Sequence, residues 1–245
     1  QEWLYDVLLY LLISIGQMKG YILALFVMKA FLIYKGAQFA KADNRAAYLI
    51  YAAMLFFVIP SNMALRPAEI SAWFTVLAIW MYRNLPDKRI WIWIFFGILV
   101  GNFHGGSAFT TVILVAILTV LDIAYDIREK GKEAWNKGKL LLKVCPIFLF
   151  VAGTICSPGG VEMWHVGSSL SSYYSTQFIQ EWKPWTFGYF QGFIVLLHVI
   201  AFGYACRKNG FAHKETVENV AVLCALFLAT LVSRKAGTIL LILTA

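Results

Sequence analysis

Residues 107–125, with the sequence SAFTTVILVAILTVLDIAY, decide the fold class of this chain. The run is almost entirely apolar, and its one charged residue, Asp122, stands near its end. A helix that crosses the hydrocarbon core of a bilayer needs about 20 mostly apolar residues. Backbone groups in lipid must form their hydrogen bonds within the segment, which favours a helix. The run therefore predicts a membrane-spanning helix.

The composition of the whole chain agrees with this run. Of its 245 residues, 60% are apolar and 14% are charged, and the mean hydropathy is +0.70. A soluble domain is about 45–50% apolar and about 25% charged. Because one water-soluble core cannot bury this excess of apolar side chains, the composition predicts an integral membrane protein.

Further apolar runs predict the architecture, an all-α polytopic transmembrane bundle of eight to nine spans. Eight runs are found, and a ninth begins near Ala236: residues 21–40, 46–59, 68–82, 90–101, 107–125, 140–156, 187–206 and 216–233. Residues 1–19 precede them and carry Glu2 and Asp6. We predict that this stretch is an amphipathic helix lying in the interface.

The chain is predicted to form a single transmembrane domain, residues 1–245. It begins with Gln1 and ends within an apolar run. We therefore expect it to be an internal segment of a longer protein.

The net charge of +8 admits two interpretations. A basic protein can bind nucleic acid, but Lys and Arg also collect in the cytoplasmic loops of membrane proteins. When the loop after the first span is placed in the cytoplasm, most of the 21 basic residues fall on that side. The other face then holds Lys19, Arg66, Lys183, Arg234 and Lys235. This asymmetry favours the topological interpretation and makes the second face extracytoplasmic.

The segment Asn102-Phe103-His104-Gly105-Gly106 is the sharpest feature of that face. Glycines let a backbone approach a ligand closely and adopt positive φ, and a histidine can transfer protons or contact a phosphate. The alternative is a helix end, because Gly commonly follows the last turn and His favours the negative end of the helix dipole. The sequence leaves both interpretations open.

Three cations on a face that should be poor in them suggest an anionic ligand. Arg66, Arg234 and Lys235 are candidates for binding a lipid phosphate. Each could equally be an interfacial anchor.

A long external loop, residues 157–186, is rich in aromatic side chains and contains Glu181-Trp182. Glu2-Trp3 repeats that pairing. An aromatic belt at the interface explains many of these residues. The length of the loop is unusual for a simple connection, and aromatic rings beside carboxylates suit sugar binding.

The ordered set of these motifs resembles the GT-C superfamily of multi-spanning glycosyltransferases. The resemblance is to a bacterial group distantly similar to the protein O-mannosyltransferase and aminoarabinose-transferase branch. The resemblance rests on six motifs in this order: Gln1-Glu2-Trp3-Leu4, Arg66-Pro67, 102–106, Ser157-Pro158-Gly159, Glu181-Trp182 and Ser233-Arg234-Lys235. Departures occur at Gln1, at Ser157-Pro158 and at Arg234-Lys235, where family members more often have His, Asn-Pro and Arg-Asn.

The resemblance implies transfer of a sugar from a polyprenyl-phosphate donor on the extracytoplasmic side of a bacterial inner membrane. It implies a catalytic Asp upstream of Gln1, so no catalytic residue is assigned within the chain. It suggests Arg66, His104, Arg234 and Lys235 for the lipid phosphate. It suggests Glu2, Trp3, Asn102, Glu181 and Trp182 for the sugar or acceptor. A divalent metal stays open as a cofactor, and the oligomeric state is undetermined.

Three other functions compete with this one. A different lipid-phosphate-dependent ligase or acyltransferase would need the same cations and another acceptor site. A transporter or channel predicts polar residues near the middle of the membrane, where Lys29 is a weak hint. A non-catalytic scaffold subunit would not need clustered cations on the external face.

Overall fold

The computed structural model describes residues 3–39, 67–131, 137–164 and 214–232, together with six single positions between residues 196 and 207. Nearly all of these residues are helical, and no strand occurs among them. The predicted all-α class is therefore confirmed for the described part of the chain.

Six helices follow one another along the described residues. They are α1 (Trp3–Phe39), α2 (Pro67–Asn84), α3 (Ile92–Phe103), α4 (Gly105–Lys130), α5 (Lys137–Ile155) and α6 (Lys214–Val232). A 3-10 turn, Asp87–Arg89, stands between α2 and α3, and the single residue His104 separates α3 from α4.

Three described segments are long and apolar enough to cross a membrane. They are Trp3–Ala24 within α1, then α4, then α5, with mean hydropathies of 1.6, 2.2 and 1.8. Large apolar side chains such as Ile113, Val120 and Phe148 stay exposed on α4 and α5, as expected of surfaces that face lipid.

Three spans are fewer than the eight to nine predicted. The runs 68–82, 90–101 and 216–233 do form helices, but these are too short or too polar to count as spans by length and composition. Helix α3 has 12 residues, and the apolar part of α6 covers Thr216–Ala229. The run 46–59 and the ninth run lie outside the described residues, as do most positions of 187–206.

The N-terminal helix has a break near the predicted boundary between the interfacial helix and the first span. Helix α1 runs from Trp3 to Phe39 and is divided by the non-helical backbone of Gln17 (φ 50, ψ −152). The candidate span Trp3–Ala24 extends across that break. Apolar side chains such as Tyr10, Leu11 and Ile13 are exposed along this segment, so it has apolar surface to place against lipid.

The closest helix contact joins α3 to α5 through two glycines. A Cβ on Gly97 would lie 2.2 Å from the Phe150 carbonyl oxygen, and a Cβ on Gly153 would lie 2.1 Å from the Ile94 carbonyl oxygen. Gly101, one turn after Gly97, continues the seam, since its Cβ would lie 3.1 Å from the Thr154 carbonyl oxygen. Small residues allow backbones this close, and they commonly line helix contacts in membranes.

Aromatic side chains fill the space beside this seam. Trp93, Phe96 and Phe150 are buried, and the Trp93 ring meets each of the two phenylalanines nearly edge to face. Phe74 on α2 packs against Phe96 in the same manner, with ring centroids 6.0 Å apart. Such pairs add about 0.5–1.5 kcal/mol beyond the area they bury, so they fix α2 and α5 against α3.

At one end of the bundle, ion pairs join four helices. Asp122 on α4 accepts from Lys143 on α5 at 2.6 Å and also from Lys214 at the start of α6. Arg83 at the end of α2 donates to Asn219 at 2.8 Å and pairs with Glu218 at 3.4 Å. We call this group, with Asp126, the charged end of the bundle.

The charged end revises the interpretation of these cations. Arg83, Lys143 and Lys214 are among the basic residues that the charge asymmetry predicts for the cytoplasmic side, and the structure places the three together at one end of the bundle. They also form specific ion pairs between helices, which the sequence analysis did not predict.

The glycine seam predicts the effect of one added methyl group. Gly97→Ala or Gly153→Ala forces α3 and α5 apart, and overpacking of this kind costs about 1–3 kcal/mol. We expect a lower thermal unfolding midpoint for both variants in detergent or nanodiscs. Gly16→Ala is the matched control, since no atom lies within 4 Å of a Cβ there. Equal midpoints for Gly97→Ala and the control would contradict the seam.

The charged end predicts a second loss of stability. Asp122→Asn leaves the ammonium groups of Lys143 and Lys214 without their shared carboxylate. A hydrogen bond to a charged group contributes about 1.5–3 kcal/mol, so the thermal midpoint should fall clearly. Lys130→Gln is the control, because the pair that Lys130 forms with Asp126 is within one helix and Lys130 is 52% exposed. An Asp122→Asn midpoint no lower than that of Lys130→Gln would show that the ion pairs do not hold the helices.

Candidate functional site

The described residues include three of the predicted site residues: Trp3, Asn102 and His104. The others lie outside the described residues, so their predicted roles stay predictions: Glu2, Arg66, Glu181, Trp182, Arg234 and Lys235.

Trp3 and Asn102, two of the predicted sugar or acceptor ligands, are in direct contact. The indole N–H of Trp3 donates to the side-chain oxygen of Asn102, across a separation of 99 residues. The amide nitrogen of Asn102 donates to the Ile98 carbonyl at 2.7 Å. Asn102 is buried, whereas Trp3 is 44% exposed. The amide therefore holds the indole in place while much of Trp3 remains accessible.

His104 lies two residues after Asn102, where α3 ends and α4 begins. Its backbone is extended (φ −163, ψ 103). Its N–H donates to the Val100 carbonyl at 2.9 Å, and its carbonyl accepts from the Ser107 N–H at 3.1 Å and the Ser107 hydroxyl at 2.6 Å. The backbone of His104 thus serves both helix ends, which supports the capping interpretation and leaves the role of the imidazole open.

The two glycines after His104 serve packing. They are helical, and neither has the positive φ that the sequence analysis considered. A Cβ on Gly105 would lie 2.5 Å from Cγ of Met163, and a Cβ on Gly106 would lie 2.9 Å from Nε2 of His104. Because these two glycines have no side chain, the Met163 side chain packs against Gly105 and the His104 imidazole folds back over Gly106.

The start of the predicted external loop packs against the same place. Ser157 follows α5, and its Cβ would lie 3.2 Å from a Cβ on Gly101. Trp164 donates from its indole N–H to the Thr154 hydroxyl at 3.2 Å, and its ring packs on Phe109 of α4 with centroids 4.6 Å apart. We call the group Trp3, Asn102, His104, Ser157 and Trp164 the indole end of the bundle.

Ser157 was not among the predicted site residues. Its hydroxyl is buried and has no hydrogen-bond partner in the described part of the chain. The sequence did contain a signal, since Ser157-Pro158-Gly159-Gly160 resembles a turn that follows a span, but the pattern could not show that the hydroxyl would be enclosed.

The indole end offers hydrogen-bonding groups and aromatic surface. An exposed indole, a buried amide and an imidazole suit a ligand with many hydroxyl groups. The cations expected to bind a phosphate, Arg66 and Arg234 among them, are outside the described residues. Within the described ranges, no three His, Cys, Asp or Glu side chains form a metal-binding group.

Comparison with known proteins adds no assignment to this geometry. No protein-family model matches the chain, and neither the curated proteins nor the solved structures contain a significant match to it.

Proposed function

We propose that this protein is a membrane-embedded glycosyltransferase that moves a sugar from a polyprenyl-phosphate donor to an acceptor on the extracytoplasmic side. The observation that carries the proposal is the hydrogen bond between Trp3 and Asn102. Two residues that the resemblance suggests for the sugar or acceptor meet at one end of the bundle, and His104 follows Asn102 by two residues.

The reaction has a simple balance. An acceptor oxygen forms a bond to C1 of the sugar, and the bond from C1 to the phosphate oxygen breaks, so that polyprenyl phosphate leaves. The proton of the acceptor hydroxyl passes to a carboxylate, the usual general base for such a step. The resemblance to the GT-C superfamily implies an Asp for this role.

The leaving phosphate gains negative charge, which must be stabilised by groups already in position. Arg66, Arg234 and Lys235 are our candidates for this contact, with the imidazole of His104 as a fourth. A planar guanidinium binds two phosphate oxygens at once, which makes the two arginines the stronger candidates.

The sugar itself would rest on Trp3. An indole face offers apolar area to the C–H groups of a sugar ring at a low cost in side-chain entropy, because Trp has only two rotatable χ angles. Asn102 fixes the orientation of the ring through its N–H. Glu2, Glu181 and Trp182 are proposed to contact the sugar or the acceptor from the remaining sides.

The proposed location follows from the charges. The charged end, with the basic loops next to it, would face the cytoplasm of a bacterial cell according to the positive-inside rule. The indole end would then face the extracytoplasmic side of the inner membrane. The exposed apolar surfaces of α4 and α5 would contact lipid and the polyprenyl chain.

A transporter is the second candidate, and the charged end is the observation that favours it. Charged side chains within membrane helices often mark ion pathways, and Asp122 and Glu218 are mostly buried on α4 and α6. Both carboxylates, however, form ion pairs with Lys or Arg of a neighbouring helix. This pairing favours a structural role, in which the carboxylates link neighbouring helices, over a role in an ion pathway.

The decisive experiment uses the full-length protein in lipid nanodiscs with a panel of polyprenyl-phosphate hexoses. Trp3→Phe keeps an aromatic ring and removes the hydrogen bond to Asn102. A hydrogen bond contributes about 1 kcal/mol, so we expect KM for the donor to rise about fivefold. Trp91→Phe is the matched control, since Trp91 is also exposed but stands at the start of α3, away from the indole end.

Arg66→Ala tests the phosphate half of the proposal. We expect it to weaken binding of the donor and of sugar-free polyprenyl phosphate alike, since both carry the phosphate. If the wild-type protein neither binds nor turns over any donor of the panel, the glycosyltransferase proposal fails, and assays of transport become the next step.

A further inference from the structure

Ser157 has an unusual environment for a polar side chain. The residue is 7% exposed, its hydroxyl oxygen is enclosed, and that oxygen forms no hydrogen bond within the described part of the chain. Leaving a buried polar group unpaired costs about 1–3 kcal/mol. A buried group of this kind at the edge of a candidate site therefore calls for a functional reason.

The position of Ser157 is fixed from both sides. Gly101 of α3 lies against it, with 3.2 Å between the Ser157 Cβ and a Cβ built on the glycine, and the neighbour of Gly101 is Asn102. On the other side, a Cβ on Gly159 would lie 3.9 Å from the Ser157 hydroxyl oxygen. Ser157 therefore packs against the residue that precedes Asn102, the amide that orients Trp3.

The backbone around Ser157 is already paired. The N–H of Ser157 donates to the Thr154 carbonyl at 3.1 Å, and its carbonyl accepts from the N–H of Gly160 at 2.8 Å. The nearby Thr154 hydroxyl donates to the Val151 carbonyl and accepts from Trp164. Of the two buried polar side chains here, Thr154 and Ser157, the Ser157 hydroxyl is the one without a hydrogen-bond partner in the described part of the chain.

We infer that the Ser157 hydroxyl binds a hydroxyl group of the transferred sugar, as a specificity-determining contact beside Trp3 and Asn102. The inference rests on the proposed function, because it names a further contact of the same site. It does not follow from the resemblance, in which Ser157-Pro158 is a departure from the usual motif.

A sugar hydroxyl fits this position better than a phosphate oxygen. Phosphates are bound most strongly by Arg and Lys side chains, and residues 155–164 around Ser157 contain neither. A sugar hydroxyl can both donate to and accept from the serine, so it satisfies the enclosed oxygen without any charge.

A turn rich in glycine follows Ser157. Pro158 is exposed, and Gly159 and Gly160 follow it, with Gly160 at a positive φ of 49°. The turn is anchored beyond these glycines by Met163 against Gly105 and by Trp164 against Phe109. A sugar reaches the enclosed oxygen only when residues 158–160 move, and both anchors lie outside that range.

The test compares Ser157→Ala with Thr111→Val in the full-length protein in nanodiscs. Thr111 is the matched control, because its hydroxyl is also buried and without a partner in the described part of the chain, but it lies within α4. Removing either hydroxyl should leave the thermal midpoint of the ligand-free protein unchanged or raise it, since an unpaired buried group is lost.

Binding separates the two variants. We expect Ser157→Ala to weaken binding of polyprenyl-phosphate hexose about fivefold to tenfold, the loss of one hydrogen bond, and to leave binding of sugar-free polyprenyl phosphate unchanged. We expect Thr111→Val to change neither affinity.

Four results would overturn the inference. If Ser157→Ala binds the hexose donor as tightly as the wild type does, the proposed contact does not exist. The proposed function still stands in that case if the wild type transfers the sugar. An equal loss for both lipids places the contact on the phosphate. A lower midpoint for ligand-free Ser157→Ala shows that the hydroxyl is already satisfied, for example by water. A wild-type protein that binds no donor overturns the inference and the proposed function together.

Discussion

The close approach of α3 and α5 at Gly97 and Gly153 is the constraint on which the other features of the bundle depend. No side chain can be inserted there, because each added Cβ would lie little more than 2 Å from a carbonyl oxygen of the facing helix. One turn further on, the same seam brings Gly101 against Ser157. The Asn102 side chain points roughly 100° around the helix from Gly101, towards α1, where it accepts the hydrogen bond of Trp3. The packing of α3 on α5 at Gly97 and Gly153 therefore sets the position of the amide that holds Trp3.

The two ends of the bundle satisfy their polar groups differently. At the charged end, each carboxylate of the ion-pair group has a cationic partner on another element or on its own helix, and Asp122 is shared by Lys143 and Lys214. At the indole end, the backbone is paired but the Ser157 hydroxyl is not, and much of Trp3 is exposed. Fully paired groups stabilise a structure, whereas unsatisfied groups and exposed aromatic surface are what a ligand can use. The chain thus separates the end that ties its helices from the end suited to binding.

Local sequence patterns predicted the helices better than they predicted the contacts between helices. The apolar runs at 107–125 and 140–156 contain enough hydropathy to predict α4 and α5, and the Asn102–Gly106 segment marked a true helix break. Three candidate spans are found among the described residues, fewer than the eight to nine predicted, in part because a short apolar run such as 90–101 forms a helix of 12 residues that is well packed yet too short to cross alone. The contacts of Trp3 with Asn102 and of Lys214 with Asp122 join residues 99 and 92 positions apart. No periodicity within a single segment encodes such pairs. Counting charges by side identified the end to which Lys214 belongs, but not its partner.

The segment around His104 shows how two competing interpretations can hold together. Capping involves the backbone of His104, through Val100 and Ser107. Substrate binding would involve the imidazole, which folds back over Gly106 because that residue has no side chain. A ring whose backbone is fixed by two helix ends loses little further freedom when it binds, and such preorganisation is what a group that stabilises developing charge requires. The helix end therefore supplies the rigidity that a binding role for His104 needs, so the evidence for the cap does not count against that role.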